Sequence, residues 1–189
     1  MNPLQNSFSF LIDSVFELYM VLVLLRFLFQ LFKVNIRNPL IDPIVKLTQP
    51  PLAWMRRFVP GLFGLDLSAI VFLILLGMTK ILLLASINGA TVGLLTLLLA
   101  SVAQVISMTL MVFTVALIAQ AVLSWFAGSA QHPVTDLLRA LTQPILRPIQ
   151  RILPAASGVD FSPIVALLAI SFLRRLLIDP LVHSLAGLI

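Results

Sequence analysis

The sequence predicts an all-α, polytopic membrane protein. It has four transmembrane helices in two parallel repeats, each with an interfacial amphipathic helix in its cytoplasmic connection. Three observations lead there. Of 189 residues, 60% are apolar and 10% charged, with a mean hydropathy of +1.12. A soluble domain carries about 25% charge, so too few polar side chains remain to cover a water-facing surface. Four stretches approach the roughly 20 helical residues that cross a hydrocarbon core of about 30 Å. Finally, the chain repeats itself without gaps at an offset of 94 residues. A soluble enzyme, a disordered tail and a disulfide scaffold are excluded, and with no Cys there is no thiol nucleophile or thiolate metal site.

The apolar stretches are residues 8–32, 67–87, 94–126 and 163–178, the last being the shortest. They are continuous rather than alternating, which favours helices over barrel strands, and a helix satisfies its own backbone in lipid. The first ten residues hold no Lys or Arg, and no small-residue cleavage site follows, so the first stretch is expected to be a retained transmembrane helix.

The repeat sets Pro39, Asp42, Leu47-Thr48-Gln49-Pro50, Arg57, Pro60, Gly64, Asp66 and Ser68 over Pro133, Asp136, Leu141-Thr142-Gln143-Pro144, Arg151, Pro154, Gly158, Asp160 and Ser162. Two units follow, 1–93 and 94–189, each a helix, a basic connection and a helix. An even number of crossings per unit makes the units parallel.

Each connection predicts a short amphipathic helix, over 38–58 and 132–152. Asn38 suits an N-cap with Pro39 in the first turn. Leu40, Ile44 and Leu47 then share one face, with Ile41 and Val45 beside them, while Asp42 and Lys46 pair four apart. In the second copy Val134, Leu138, Leu141 and Ile145 form the apolar stripe, and Asp136, Arg139 and Gln143 stay polar. Pro50 and Pro144 are expected to end or bend these helices. A short basic amphipathic helix lies in the headgroup plane. Asp66, Ser68, Asp160 and Ser162 stand where the next membrane helices start and read as caps, Ser162 being followed by Pro163. Gly64 and Gly158 suit the change of direction before them.

Lys33, Arg37, Lys46, Arg56 and Arg57 flank or fill the first connection, and Arg139, Arg147 and Arg151 fill the second. The central turn, 88–93, is uncharged. By the positive-inside rule both connections are cytoplasmic and both termini face outward, with Trp54 and Trp125 near the inner interface. Lys46, Arg56, Arg57, Arg139, Arg147 and Arg151 are then placed to meet anionic phospholipid headgroups, each worth about 1 kcal/mol. Nucleic acid is not expected as a partner, because these basic residues are interleaved with Leu, Ile and Pro rather than stacking aromatics.

This repeat unit resembles the YggT family of small bacterial inner-membrane proteins, which has plastid relatives. The likeness is carried by Asn38-Pro39, Thr48-Gln49-Pro50, Arg56-Arg57-Phe58-Val59-Pro60 and Gly64-Leu65-Asp66-Leu67-Ser68, with second-copy partners His132-Pro133, Thr142-Gln143-Pro144, Arg147-Pro148, Arg151-Ile152-Leu153-Pro154 and Gly158-Val159-Asp160-Phe161-Ser162-Pro163. It covers both halves and looks like the two-repeat form of gamma-proteobacteria. The second copy departs with His132 for the usual Asn and with Ala155-Ala156 for Gly61-Leu62. The resemblance implies a plasma-membrane location and no established chemistry. It implies a loose link to osmotic stress tolerance and ion balance, and in plastid and Gram-positive relatives to assembly of membrane complexes, nucleoid distribution or division.

Ionisable groups within the membrane are the first functional candidates. Helix one carries Asp13, Glu17 and Arg26, helix two carries Lys80, and the repeat puts Arg174 at the matching place in helix four. Glu17 lies roughly 12–14 Å and Lys80 roughly 10 Å from the outer ends of their helices. Glu17, with Asp13, is therefore expected to pair with Lys80 or Arg174, against the alternative that the long basic stems snorkel outward. Arg26, near the cytoplasmic end, is equally placed to snorkel, and its repeat partner is Gln120. Gly77, Ala85, Ala103, Ser107 and Ala119 suit close helix packing. His132 and His183 fall on opposite sides and form no metal site, no nucleotide-loop, metalloprotease or Rossmann pattern occurs, and no cofactor is expected. Three function classes remain. The leading one is a non-catalytic scaffold or assembly factor for other membrane proteins or a homo-oligomer. The others are an oligomeric ion channel or transport modulator and an enzyme acting on lipid.

Overall fold

The computed structural model describes residues 3–34, 39–61, 65–126, 133–153 and 160–181, and all of its regular structure is helical. Asn38, Gly64, His132, Gly158 and His183, along with the side chain of Trp125, lie outside the described residues. The elements are α1 (Pro3–Leu31), α2 (Ile41–Met55), α3 (Leu67–Ile87), α4 (Leu94–Phe126), α5 (Pro133–Ile152) and α6 (Ser162–Leu173). A long helix, a connecting helix and a further helix thus follow one another twice, although α6, at 12 residues, is shorter than the 20-residue α5 before it.

Among the described residues α1, α3 and α4 are each long and apolar enough to cross a membrane. At 29 residues α1 is about 43 Å long, and it begins five residues before the expected start. The fourth stretch departs from regular α geometry. Its α-helical part ends at Leu173, a π-turn covers Arg174–Ile178, and helix resumes as far as Leu181. The cause is Pro180, which has no N–H for the Leu176 carbonyl and crowds it. One turn earlier the ladder widens, so that Asp179 N–H bonds the Arg174 carbonyl.

The long helices form a row. Helix α1 packs on α3, α3 on α4 and α4 on α6, and among the described residues α6 touches neither α1 nor α3. The α3–α4 contact is the main join between the two units, and α1 also meets α4 and α5, with Phe32 edge-on to Phe113. The α3–α4 contact is close because Gly77 lies against Ser101, which is fully buried. The well-packed core sits toward those ends of the membrane helices where α2 and α5 dock: Val23, Leu28, Leu52, Leu73, Ala116 and Leu141 belong to it. The other half of α1 exposes Leu4, Phe8, Phe10, Leu11, Val15 and Leu18. So large an apolar surface needs a hydrocarbon surround, not water.

Helices end by two left-handed residues. Gly89 (φ 68) closes α3 at the turn between the units, with Ala90 N–H returning to the Ala85 carbonyl. Lys33 (φ 51) closes α1 in the same way, with Val34 N–H returning to the Phe29 carbonyl at 2.9 Å. Glycine is the usual occupant of such a position, since a Cβ is strained there.

The connecting helices differ from expectation in two respects. Helix α2 spans fewer residues than 38–58, because its first helical residue is Ile41 and the chain turns after Met55. The prolines do not end the helices: α2 runs through Pro50 and Pro51, and α5 through Pro144 and Pro148. Pro50, Pro144 and Pro148 sit on exposed sides, where a carbonyl that has lost its helical donor is not sealed into the core. Pro51 frees the Leu47 carbonyl, and Tyr19 Oη lies 3.4 Å from it. The second copy has Ile145 and Phe113 at those two positions, so the missing N–H and the compensating hydroxyl are absent together. The face of α2 turned to the protein is Ile41, Thr48 and Leu52, and Leu40 and Leu47 of the expected apolar stripe are exposed.

Candidate functional site

The repeat builds the same tether twice on the connecting-helix side. Thr48 and Thr142 occupy the same repeat position and are both completely buried. Each hydroxyl donates to its own helix, Thr48 to the Ile44 carbonyl (2.6 Å) and Thr142 to the Leu138 carbonyl (2.8 Å). Each also meets the long helix. Arg26 Nη1 donates to Thr48 Oγ1 (3.0 Å) and to the Val45 carbonyl (3.1 Å), and its Nη2 donates to Gln49 Oε1. At the equivalent place in the second copy Gln120 Oε1 is the partner of the Thr142 hydroxyl. Arg26 is therefore 8% exposed and turned onto α2, not extended toward bulk water as snorkelling requires. The Thr-Gln-Pro motif was visible as a repeat. Its role as the docking point was not, because a threonine offers no periodicity signal.

A second tether joins the end of each connecting helix to the start of the next long helix. Arg56 Nη2 forms an ion pair with Asp66, whose other carboxylate oxygen accepts from the Ser68 hydroxyl. In the second copy Gln150 Nε2 donates to Asp160 Oδ2 at 2.9 Å, and Ser162 N–H donates to Asp160 Oδ1 at 2.9 Å. Asp66 stands at the N-cap position of α3, with its carboxylate bonded to Arg56 and Ser68. Ser162 is the first residue of α6, one place inside the cap, and it is Asp160 that takes a backbone N–H there. Burial alone would push the Asp66 carboxyl up. The hydrogen bonds from Arg56 and Ser68 and the charge of Arg56 outweigh it and hold the group below its ordinary value. Asp160 is also lowered, by the Ser162 hydroxyl beside it first, with the Ser162 backbone and Gln150 adding to this against a smaller cost of burial.

Between α1 and α3 lies a charged cluster. Lys80 Nζ is 2.8 Å from Asp13 Oδ1 and 3.4 Å from Glu17 Oε1. The lysine side chain is 7% exposed, whereas those of Asp13 and Glu17 are 44% and 53% exposed. One turn of helix sets both carboxylates on the same side, and the edge-on ring pair of Tyr19 and Phe72 packs between the same two helices. One cation thus serves two carboxylates. Arg174 does not join them: it is exposed on the π-turn, and its helix does not reach α1. The repeat explains the difference, since Ser107 and Met111 stand where the first copy has Asp13 and Glu17.

The remaining basic candidates are on the surface. Lys46 pairs with Asp42 at 3.2 Å, both well exposed. Arg147 Nη2 donates to Gln143 Oε1 at 3.2 Å, and Arg57, Arg139 and Arg151 are exposed. Arg56 is half-committed, since its guanidinium turns inward to Asp66. Exposed Trp54 and Phe58 stack edge-on, 5.2 Å apart, on the outer side of α2. Among the described residues no group of three His, Cys, Asp or Glu side chains is arranged to hold a metal ion.

Comparison with known proteins agrees with this architecture. The family model described as CCB3/YggT matches residues 5–87 and again 99–181, displaced by the same interval as the sequence repeat. An uncharacterised protein of Pseudomonas aeruginosa is 36% identical over 94% of this chain and 91% of its own. One of Vibrio alginolyticus is 34% identical over 93% and 95%. The "Uncharacterized protein YggT" of Escherichia coli K12 is 32% identical over 87% and 85%. No solved structure matches.

Proposed function

The chain belongs to the CCB3/YggT family of membrane proteins and carries no catalytic motif, and from that premise we propose that it is a scaffold or assembly factor of the bacterial inner membrane. It holds other membrane proteins, or further copies of itself, side by side in the bilayer. In this reading the helical segment 162–181 is a fourth crossing, both basic connections are cytoplasmic, and both termini face outward. Helices α2 and α5 lie in the inner headgroup plane. Trp54 and Phe58 reach the acyl region, and Lys46, Arg57, Arg139, Arg147 and Arg151 meet anionic headgroups, with Arg56 contributing its exposed part. The link to osmotic stress then follows from stabilising whichever membrane complex responds to it.

One observation carries this reading: the charges within the apolar row do not balance at its two ends. At the α1–α3 end Lys80 answers two half-open carboxylates, and at the α6 end Arg174 faces outward with no carboxylate at the repeat-equivalent places. A charge facing hydrocarbon is costly, and a neighbouring protein of opposite charge removes that cost. Two open edges also favour lateral contact over a pathway within one chain. The experiment is photo-crosslinking in native membranes from Leu18, beside Glu17, and from Phe172, beside Arg174. Adducts with membrane proteins or with a second copy, lost in Glu17→Gln and Arg174→Leu, support the proposal. Lipid-only adducts, together with ion flux into proteoliposomes that Lys80→Met abolishes, refute it in favour of a channel. Cysteines at Lys46 and Arg147 that label from opposite faces of the membrane refute the topology.

A further inference from the structure

We infer that the cleft between the C-terminal end of α1 and the start of α2 is a binding site for one anionic phospholipid, whose phosphate is held by Arg26 and Lys33. The cleft has a volume of about 500 Å³, in the range of small-ligand sites. Its polar lining is Arg26, Gln30 and Lys33, and its walls include Phe29, Ile41 and Val45. A cation-lined recess with apolar walls at a helix end suits a phosphate headed by charge and followed by glycerol and chain. The inference rests on the reading that this end of α1 lies at the inner headgroup plane.

Three features set this cleft apart from an ordinary basic surface. Arg26 is 8% exposed and, among the described residues, bonds only the neutral acceptors Val45, Thr48 and Gln49. Those acceptors take three of its five N–H donors, and the one carboxylate whose charge reaches it, Asp66, is already paired with Arg56, so among the described residues this buried cation has no carboxylate in direct contact, which is costly until an anion arrives. Lys33 holds the left-handed backbone that glycine ordinarily takes, and its side chain lines the cleft. Strain retained at one position points to a use for the side chain it carries. Moreover, the fold does not need these charges. The second copy makes the same helix-to-helix tether with Gln120, and the place of Lys33 is held by Ala127. The two cations are therefore additions to the first copy, and they converge on one recess.

The test uses the whole protein, delipidated in dodecyl maltoside and titrated with dioleoylphosphatidylglycerol, with bound lipid counted by native mass spectrometry. One lipid per chain is expected to bind ahead of the rest, with dioleoylphosphatidylcholine and inorganic phosphate failing to displace it. Arg26→Gln and Lys33→Gly should each weaken that binding about tenfold or more. Both are built to fold: glutamine copies the second repeat, and glycine relieves the backbone at residue 33. A folded Lys33→Gly protein that retains the tight lipid, or equal affinity for phosphatidylcholine, overturns the site. Displacement by inorganic phosphate overturns the lipid assignment in favour of a free anion. Binding in micelles is read without regard to sidedness. A wrong topology would therefore show in cysteine labelling while the lipid data stood, and a missing site would show in the titration while the topology stood.

Discussion

Substituting Gly77 by alanine tests the seam between the two units. A Cβ built on Gly77 would lie 2.9 Å from the Ser101 Cβ, 3.4 Å from its Cα and 3.6 Å from Met20 Cε. Carbon atoms prefer about 3.5–4.0 Å, so α3 and α4 must part by about 0.6 Å or more. No rotamer relieves this, because the Ser101 Cβ is fixed by its backbone. Overpacking of this kind costs roughly 1–3 kcal/mol. Against it stands a gain of about 1 kcal/mol for alanine over glycine in a helix, so the single variant is expected to lose only about 0–2 kcal/mol. The double-mutant cycle with Ser101→Gly is sharper. The Ser101 hydroxyl bonds only carbonyls of its own helix, Leu97 and Leu98, so removing it orphans no partner. The clash disappears in the double variant, and the coupling should be about 1–3 kcal/mol in its favour. The assay is reversible unfolding in mixed micelles. A coupling within about 0.5 kcal/mol of zero, the level of additive sites, refutes the close contact and with it the arrangement of the two units.

In a cycle between Lys80→Met and Glu17→Gln or Asp13→Asn, the same assay should show each single change destabilising and the pairs non-additive; intramembrane couplings average about 0.6 kcal/mol, so additive behaviour in both cycles would remove the ion cluster. Stability should also depend on acid at the connections. The Asp66 carboxyl is lowered in the folded protein, so its contribution is present above its ordinary value of 3.8 and is lost as pH falls below that through the folded value. Asp66→Asn should flatten that limb of the pH–stability curve, and Asp66→Asn with Asp160→Asn should flatten it further, since Asp160 shifts the same way. Thr48→Val should cost more than Thr142→Val, by about 1 kcal/mol, because it strips an acceptor from a buried guanidinium, whereas Thr142→Val strips a donor from a neutral amide oxygen.

Much of this architecture was legible because hydrocarbon imposes simple demands. Uninterrupted apolar runs gave α1, α3 and α4, and the Pro, Gly and Asp positions of the repeat gave the order of elements. The depth estimates for Glu17 and Lys80 put them within reach of each other, as their geometry has it. The docking face of α2 was not legible. Leu40 and Leu47, which match the helical period, are exposed, while the residue that docks α2 is the polar Thr48. Of the two expected effects of Pro50 and Pro144, ending the helix does not occur: a proline ends a helix only where the freed carbonyl has no other recourse, and Pro50, Pro144 and Pro148 are all on exposed sides.

Because the chain contains two copies of one unit, each copy serves as a control for the other. What both need must be structural: a buried threonine on the connecting helix, an aspartate before the second long helix, and a side chain from residue 56 or 150 that reaches it. Where they differ at the tethers and around the ion cluster, the first copy carries charge and the second does not, whereas the charges found only in the second copy, Arg139, Arg147, Arg175 and Asp179, are all exposed. Arg26 faces Gln120, Arg56 faces Gln150, Asp13 faces Ser107, Glu17 faces Met111 and Lys33 faces Ala127. The neutral versions make equivalent bonds at two of those places, so charge there adds little that the fold requires. Charge in or beside a membrane is kept at a cost, and a cost borne in one copy but not in its twin points away from folding and toward recognition. On the scaffold reading proposed above, the half-buried charges that recognition would use therefore lie mainly in the first copy.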